Sequence, residues 1–249
     1  MSPLVRSELL KLRTTRTFLG ITLAALGLIA LIAGAGAAAG TYGAGDPSPG
    51  RDLLEAGGLA QPFALVLGVL AVSTEFRHGT ITPSLLTVPR RTQLVVAKLA
   101  AHAVAGLVLG LVAYGLAALL ALPILSARDI PSQLSGGTAI EVVAGGVACV
   151  TLLAAIGVGV GAIARNQVGA VMGALGWWFI VEPLLATIPG VGDSIEKYGI
   201  DGAVNAASAS SLAGGVELGQ VAGGLLLLGY AAIFAAAGAA VLRRRDVTA

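Results

Sequence analysis

The chain has 249 residues, of which 56% are hydrophobic and only 11% are charged. With a mean hydropathy of +0.91, this composition excludes an ordinary soluble domain and indicates a protein whose surface faces lipid. The formal net charge is +2, and because the basic residues are dispersed beside the apolar runs, the sequence argues against a nucleic-acid partner.

Six apolar runs are long enough to cross a bilayer as helices, which takes about 20 residues each. The runs are continuous and show no alternation, so helices are favoured over the strands of a membrane barrel. We therefore predict an all-α, polytopic integral membrane protein with a single transmembrane domain over residues 1–249. The predicted spans are Phe18–Ala39, Leu54–Val72, Val95–Leu125, Ile140–Ala164, Val168–Ile188 and Val221–Leu242.

The start of the chain also resembles a secretory signal, because basic residues precede an apolar run that ends in small residues. A cleaved signal has an apolar core of about 7 to 15 residues. The run Phe18–Ala39 is longer than that, so we predict that it stays in the membrane. The basic residues before it are Arg6, Lys11, Arg13 and Arg16.

Lysines and arginines set the predicted orientation, because they concentrate in cytoplasmic loops. If the N-terminus is inside, all but three of the 15 Lys and Arg residues lie on the cytoplasmic side. An even number of spans returns the C-terminus to the same side, so both termini are predicted to be cytoplasmic. The three basic residues on the outside are Arg51, Arg128 and Lys197.

The largest predicted cytoplasmic loop, residues 73–94, contains the signature of a short helix. Thr82 followed by Pro83 is typical of a helix start, because the threonine oxygen caps the helix and proline lacks an amide hydrogen that would need a partner. Pro89 ends the helix after about two turns. So short a helix is stable only when it docks against something. Its apolar residues are Leu85, Leu86 and Val88, and its flanking arginines are Arg77, Arg90 and Arg91.

Two interpretations of this helix stay open from the residues alone. In the first, the arginines rest on anionic headgroups, so that the partner of the loop is membrane lipid. In the second, the apolar residues insert as a knob into a cytoplasmic protein.

Two segments of the chain resemble the ABC-type-two (ABC-2) permeases of bacteria, particularly the short actinobacterial members. One is SELLKLRTTRTFLGI at Ser7–Ile21, and the other is TEFRHGTITPSLLTVPRRTQLVVAKLAA at Thr74–Ala101. The pattern E-[FY]-R-x-G-T in the second segment is specific, whereas any apolar helix would match the spans.

The resemblance implies that the loop between spans two and three is a coupling helix, which docks in a cleft of a separate ATP-hydrolysing subunit. It also implies that residues 1–17 form a connecting helix along the inner membrane face. A stripe of Val5, Leu9 and Leu12 is compatible with such an amphipathic helix. The implied coupling interface consists of Glu75, Arg77, His78, Gly79, Thr82, Leu85, Leu86, Val88, Arg90 and Arg91.

The function predicted from the resemblance is that of a permease subunit of an ABC exporter in the inner (cytoplasmic) membrane. Its partners would be an ABC ATPase dimer and a second permease chain, identical or related, since six helices give too little wall for an enclosed path. ATP and Mg would be held by the ATPase, with no cofactor in this chain. Two alternatives stay open, namely an ATP-independent channel or secondary carrier, and a membrane anchor for a soluble enzyme.

Catalytic motifs are missing from the sequence. No G-x-x-x-x-G-K-[ST] string occurs, so ATP hydrolysis is expected on a separate chain. Neither H-E-x-x-H nor G-x-S-x-G occurs, and Cys149 is the only cysteine, so no catalytic residue and no metal site are predicted. Cys149 is expected to be a packing residue. His102, one helical turn after Lys98, is expected to snorkel towards the interface.

Glu182 is the one acidic residue that lies away from the ends of an apolar run, and Pro183 follows it. A carboxylate in the outer part of span five is costly unless it faces protein or water. It could serve an outer gate, or the helix could unwind there so that the carboxylate reaches the headgroups. The resemblance favours the gate, because helices two and five line the path in ABC-2 permeases and short re-entrant helices follow helix five. The candidate path or gate residues are Phe63, Val66, Leu67, Leu70, Trp177, Trp178 and Glu182.

Two further features concern packing and the outer side. Residues 189–220 form an external segment long enough to hold a re-entrant element. Small residues spaced four apart predict close helix contacts. These pairs are Gly36/Gly40, Gly106/Gly110, Gly169/Gly173 and Gly219/Gly223.

Overall fold

The computed structural model describes residues 2–40, 48–80, 91–164, 166–210 and 218–244. Within these ranges every regular element is a helix and no residue lies in a β-strand, which confirms the predicted all-α class. The elements in chain order are an N-terminal helix (Ser2–Thr14), long helices at Arg16–Ala39, Ala60–Arg77, Arg91–Ala127, Gly136–Ile163, Gln167–Gly176 and Gln220–Arg244, and shorter pieces at Pro49–Glu55, Ala56–Leu59, Trp177–Val181, Glu182–Ala186, Gly192–Tyr198 and Ile200–Ala207.

Among the described residues, six helical segments have the length and composition of membrane spans, as the sequence predicts. Each begins and ends within a few residues of its prediction, except that the second is longer at both ends. We number them span one to span six. Their bounds are Arg16–Ala39, Pro49–Arg77, Thr92–Ala127, Gly136–Ile163, Gln167–Ala186 and Gln220–Arg243.

Span two extends beyond its predicted bounds because its charged ends find partners within the protein. Pro49 starts the helix, and a 3₁₀ turn at Ala56–Leu59 joins it to the main helix. Arg51 pairs with Glu55 at 3.1 Å near the start, and Glu75 pairs with lysines near the end. Hydropathy alone assigns these charges to loops, whereas the tertiary structure neutralises them inside a helix.

Spans two and four form the centre of the bundle. In the most hydrophobic 18-residue stretch of each of these helices, 61% and 67% of the residues are buried inside the protein, against 17% for spans one and five. The two central helices touch backbone to backbone, since a Cβ added at Gly157 would lie 2.2 Å from the carbonyl oxygen of Leu65. A Cβ at Gly161 would lie 2.3 Å from the oxygen of Val69. Only glycine fits at this crossing.

The predicted glycine pairs differ in what they contact. Gly106 and Gly110 pack against span four, as expected. A Cβ added at Gly173 would meet none of the described residues within 4 Å, so the close contact expected at that glycine is not made with this part of the chain. The pair Gly157/Gly161, which is not among the predicted pairs, has the same spacing and meets the backbone of span two. Spacing alone does not show which face of a helix is turned inwards.

The N-terminal helix lies against span three and is separated from span one by Thr15, whose backbone is extended. Its inner face carries Glu8, which is buried, and Val5, Leu9 and Leu12, which are half-buried. The apolar stripe seen in the sequence therefore contacts protein.

Two short helices, Gly192–Tyr198 and Ile200–Ala207, follow span five within the predicted external segment. The second packs on spans four and six, with Ala203 and Val204 buried. Cys149 of span four is fully buried beside it, with its sulfur 3.6 Å from the Val204 oxygen, which confirms its role in packing. The segment thus contains a compact element held by the bundle.

Candidate functional site

The end of the bundle where span two stops and span three begins is here called the coupling-loop end. The predicted coupling helix, with Thr82, Leu85, Leu86, Val88 and Arg90, lies outside the described residues, as does the side chain of Arg91. Its position therefore stays a prediction. The helices on either side of it are described to Arg77 and from Arg91.

Four predicted interface residues precede the predicted coupling helix, and the structure separates them into two groups. Arg77, His78 and Gly79 are exposed. His78 Nδ1 lies 2.9 Å from the Thr74 carbonyl oxygen, and Gly79 adopts a left-handed conformation with φ of 67°, which favours glycine. Glu75 is turned inwards and is only 9% exposed. It is available to the interior of this protein and not to a partner surface.

Glu75 belongs to a ring of four alternating charges, which we call the charge ring: Glu8, Lys11, Glu75 and Lys98. Lys98 Nζ donates to Glu75 Oε1 at 2.7 Å and to Glu8 Oε2 at 2.9 Å. Lys11 Nζ donates to Glu8 Oε1 at 2.7 Å and to Glu75 Oε1 at 3.0 Å. Each carboxylate contacts both lysines, so the ring is closed and electrically neutral.

Lys98 is the most deeply buried member, with a side chain 2% exposed. An ammonium group has three hydrogen-bond donors, and here the third is used on the Ala71 carbonyl oxygen at 3.2 Å. A buried charge with every donor satisfied tolerates a low-dielectric position, whereas removing one partner of a buried pair costs about 3–5 kcal/mol. Lys11 lies at the rim, with a side chain 50% exposed, and contributes less.

Both ring members on the N-terminal helix are held in their charged forms. Burial by itself would raise the pKa of Glu8, but Lys98 and Lys11 together keep that pKa below its ordinary value. Burial would lower the pKa of Lys11, but hydrogen bonds and attraction from Glu8 and Glu75 hold it above its ordinary value. The two groups therefore stay ionised at neutral pH.

His102 was expected to snorkel towards the interface, and that prediction is wrong. It is 3% exposed, its Nδ1 lies 2.9 Å from the Lys98 carbonyl oxygen, and its Nε2 has no hydrogen-bond partner among the described residues. The N-terminal helix packs against span three, and its residues Glu8 and Leu12 close part of the cavity that His102 lines. Sequence position alone does not reveal such packing.

The path candidates on span two have two different environments. Leu67 is buried in the core, whereas Phe63, Val66 and Leu70 are half-buried. Leu67 and Leu70 also line a cavity of about 130 Å³ that adjoins the charge ring. The charge ring is therefore next to the part of the candidate path that Leu67 and Leu70 form.

The two tryptophans of span five are placed differently. Trp178 is buried, and its indole nitrogen donates to Asp201 Oδ1 at 2.8 Å. Trp177 is 47% exposed. Both line an apolar cavity of about 230 Å³ bounded by spans two, four, five and six. Trp178 is therefore packed against residues of its own chain.

Glu182 follows a π-helical turn at Trp177–Val181, and the chain continues as a helix to Ala186. The expected alternative, in which the helix unwinds and the carboxylate reaches the headgroups, is wrong. Pro183 lacks an amide hydrogen, and the wider turn before it absorbs the irregularity. Glu182 is 3% exposed.

The Glu182 carboxylate faces the second short helix, Ile200–Ala207. Its Oε1 accepts from the backbone amide of Asp201 at 2.7 Å, which satisfies one of the free donors at a helix start. Its Oε2 has no hydrogen-bond partner among the described residues. Asp201 in turn accepts from Trp178 and, at 2.9 Å, from Asn205 Nδ2. This network ties span five to the external segment, while the gate role of Glu182 stays a prediction.

Two substitutions of Glu182 distinguish the role of its hydrogen-bond acceptor oxygen from the role of its negative charge. Glu182→Ala is expected to speed amide hydrogen exchange in residues 200–207, because an unsatisfied buried donor costs about 1–3 kcal/mol. Glu182→Gln keeps an acceptor oxygen and is expected to preserve most of the protection. Hydrogen exchange read by mass spectrometry on the purified protein checks this. Equal exchange in Glu182→Ala and the unaltered protein would show that the contact does not hold the helix.

A family model described as "ABC-2 family transporter protein" matches residues 4–180. The match covers more than half of the chain, from the N-terminal helix to the tryptophans of span five. The chain belongs to the ABC-2 transporter family. It is a multi-pass membrane permease subunit of an ABC transporter. Members of this family are transport subunits and are not themselves catalytic. No curated protein matches the chain.

Family membership confirms the resemblance seen in the sequence but does not reach every candidate residue. The coupling loop, the charge ring and the span-two path candidates lie inside the match. Glu182, the two short helices after span five and span six lie beyond its end at residue 180. Permeases of the ABC-2 family associate with an ABC ATPase and usually pair.

Proposed function

We propose that this ABC-2 permease is the membrane subunit of an exporter in the inner membrane, working as a pair above a separate ATPase that holds ATP and Mg. The observation that carries the proposal is the family match over residues 4–180. ATP binding would close the motor subunits, and the coupling loops would transmit that movement to the membrane helices.

The coupling-loop end supports the proposed ATPase interface. Arg77 and His78 are exposed at the point where span two ends, so they are accessible to a docked protein. Arg77 Nη1 donates weakly to Gln167 Oε1 at 3.3 Å, an exposed contact that a charged partner could replace at little cost. Inward-facing Glu75 is better explained as support for the loop than as a docking residue.

The proposed orientation places the coupling-loop end in the cytoplasm, following the concentration of lysines and arginines on that side. Two of the three basic residues expected outside are satisfied at the opposite end. Arg128 donates to the Ala37 oxygen at 2.7 Å, and Arg51 donates to Glu55 and to the Ala209 oxygen. Their charges serve to hold helix ends together and do not oppose the proposed orientation.

The proposed pairing requires a free apolar surface, and a single chain leaves one on spans one, five and six. In the most hydrophobic 18-residue stretches of spans one, five and six, only 17%, 17% and 22% of the residues are buried inside the protein. Lipid covers such surfaces, and so does a second permease, identical or related.

The proposed direction of transport is export, which the resemblance to ABC-2 permeases of bacteria implies. The apolar side chains of Phe63, Val66 and Leu70 suit a hydrophobic or amphipathic cargo.

Purification of the tagged protein from its native membranes in mild detergent tests the proposal. We expect an ATPase at fixed stoichiometry, identified by mass spectrometry and by Mg-dependent ATP hydrolysis in the purified complex. A preparation without any ATPase would support a channel or secondary carrier. A different soluble enzyme at fixed stoichiometry would support a membrane anchor. Either of these outcomes would overturn the proposed function.

A further inference from the structure

We propose that the charge ring clamps the N-terminal helix to both helices that flank the coupling loop, so that all three move as one body. The inference rests on the proposed function only in giving the loop a movement to transmit. It assigns positioning roles to Glu8, Lys11, Glu75 and Lys98, and it places the hold on the N-terminal helix in the protein and not in the lipid.

The geometry of the ring joins three segments that are far apart in sequence. Glu8 and Lys11 lie on the N-terminal helix, Glu75 lies two residues before the exposed Arg77, and Lys98 lies at the start of span three. All four contacts are 3.0 Å or shorter. No contact can open by itself without leaving a lysine and a glutamate with one partner each.

Burial explains why the ring should stay closed while the loop moves. The side chains of Lys98, Glu8 and Glu75 are 2%, 5% and 11% exposed. Separating the helices would leave these charges unpaired in an environment of low dielectric constant, which is strongly unfavourable. The cluster therefore resists opening more than the half-buried apolar contacts of Val5, Leu9 and Leu12 alone would.

The rival account is that anionic lipid holds the N-terminal helix through its basic residues. In that account an acidic residue on the helix would weaken the attachment, and exposed Arg6 would strengthen it. The structure places the acidic residue Glu8 at the buried contact and leaves Arg6 exposed. The two accounts thus predict opposite effects for neutralising Glu8 and Arg6.

The test is a distance measurement between spin labels at Arg13→Cys and His78→Cys, in a Cys149→Ala background and in nanodiscs containing anionic lipid. Both labelled positions are exposed and outside the ring. We expect one narrow distance distribution in the parent, retained in Arg6→Gln and in Lys98→Arg. Glu8→Gln and Lys98→Met are expected to add a second, longer population that accounts for a substantial share of molecules.

Two results would overturn the clamp. One is a parent-like distribution in both Glu8→Gln and Lys98→Met, and the other is a broadened distribution in Arg6→Gln alone, which would indicate lipid attachment. Glu8 lies on the peripheral N-terminal helix, so Glu8→Gln keeps the test informative if Lys98→Met fails to fold. The measurement needs no ATPase, so its failure is distinct from a failure of the proposed function.

A second measurement uses the complex with the co-purified ATPase and ATP. The parent distance is expected to stay unchanged, and an ATP-dependent lengthening would contradict movement as one body.

Discussion

Leu85→Asp is expected to release the ATPase from the purified permease. If residues 82–89 form the coupling helix, its apolar tip loses water on docking, at about 25 cal/mol per Å² of apolar surface. An aspartate there would carry an unpaired charge into the cleft, at a cost of several kcal/mol. Pull-down of the ATPase by the detergent-solubilised, monodisperse variant measures this effect.

Arg90→Lys is the matched control on the same loop. It keeps the positive charge, and a rim charge in water contributes little, so the ATPase is expected to stay bound. Lipid docking predicts the reverse order, because removal of basic residues would then matter more than a change at Leu85. Retention of the ATPase by Leu85→Asp at the unaltered level would rule out the coupling-helix assignment.

Gly157→Ala is expected to destabilise the bundle at its centre. The added methyl group would lie 2.2 Å from the Leu65 oxygen and 2.9 Å from the Val69 nitrogen, and backbone atoms on both sides leave it no room. Overpacking costs typically about 1–3 kcal/mol, and occasionally more. A lower midpoint of thermal unfolding in detergent, with loss of monodisperse protein, is the expected measurement.

Gly173→Ala provides the control for this change. Gly173 is also a helical glycine with a small residue four positions away, but a Cβ there would meet nothing within 4 Å. Its replacement is expected to leave the unfolding midpoint unchanged or slightly raised, since alanine favours helix more than glycine does. Equal destabilisation by the two substitutions would mean that spans two and four do not cross at Gly157.

The contrast between these two glycines shows what spacing cannot supply. Gly169/Gly173 and Gly157/Gly161 have the same separation in the sequence. Only the packing of the bundle decides that Gly157 faces span two, while a Cβ at Gly173 would meet none of the residues that the structure describes. The sequence predicts that close crossings exist, and the tertiary structure determines where they are.

The interior charges show a related limit. From the sequence, Lys98 is placed near the inner end of span three, and Glu75 is placed on a docking surface. The structure brings Glu8 and Lys11 from the start of the chain to meet them. A charge that looks interfacial in one segment becomes buried once a distant segment supplies its counter-charge, and no local pattern contains that information.

By itself the sequence determined the all-α membrane class, the six spans and the family, because continuous apolar length and a specific loop motif are properties of single segments. Only the tertiary structure decided that His102 is covered, that Glu182 faces the start of Ile200–Ala207, and that the N-terminal helix is paired with both stems of the coupling loop. These outcomes depend on contacts between residues far apart in the chain, whose energies are set by burial and by partner geometry.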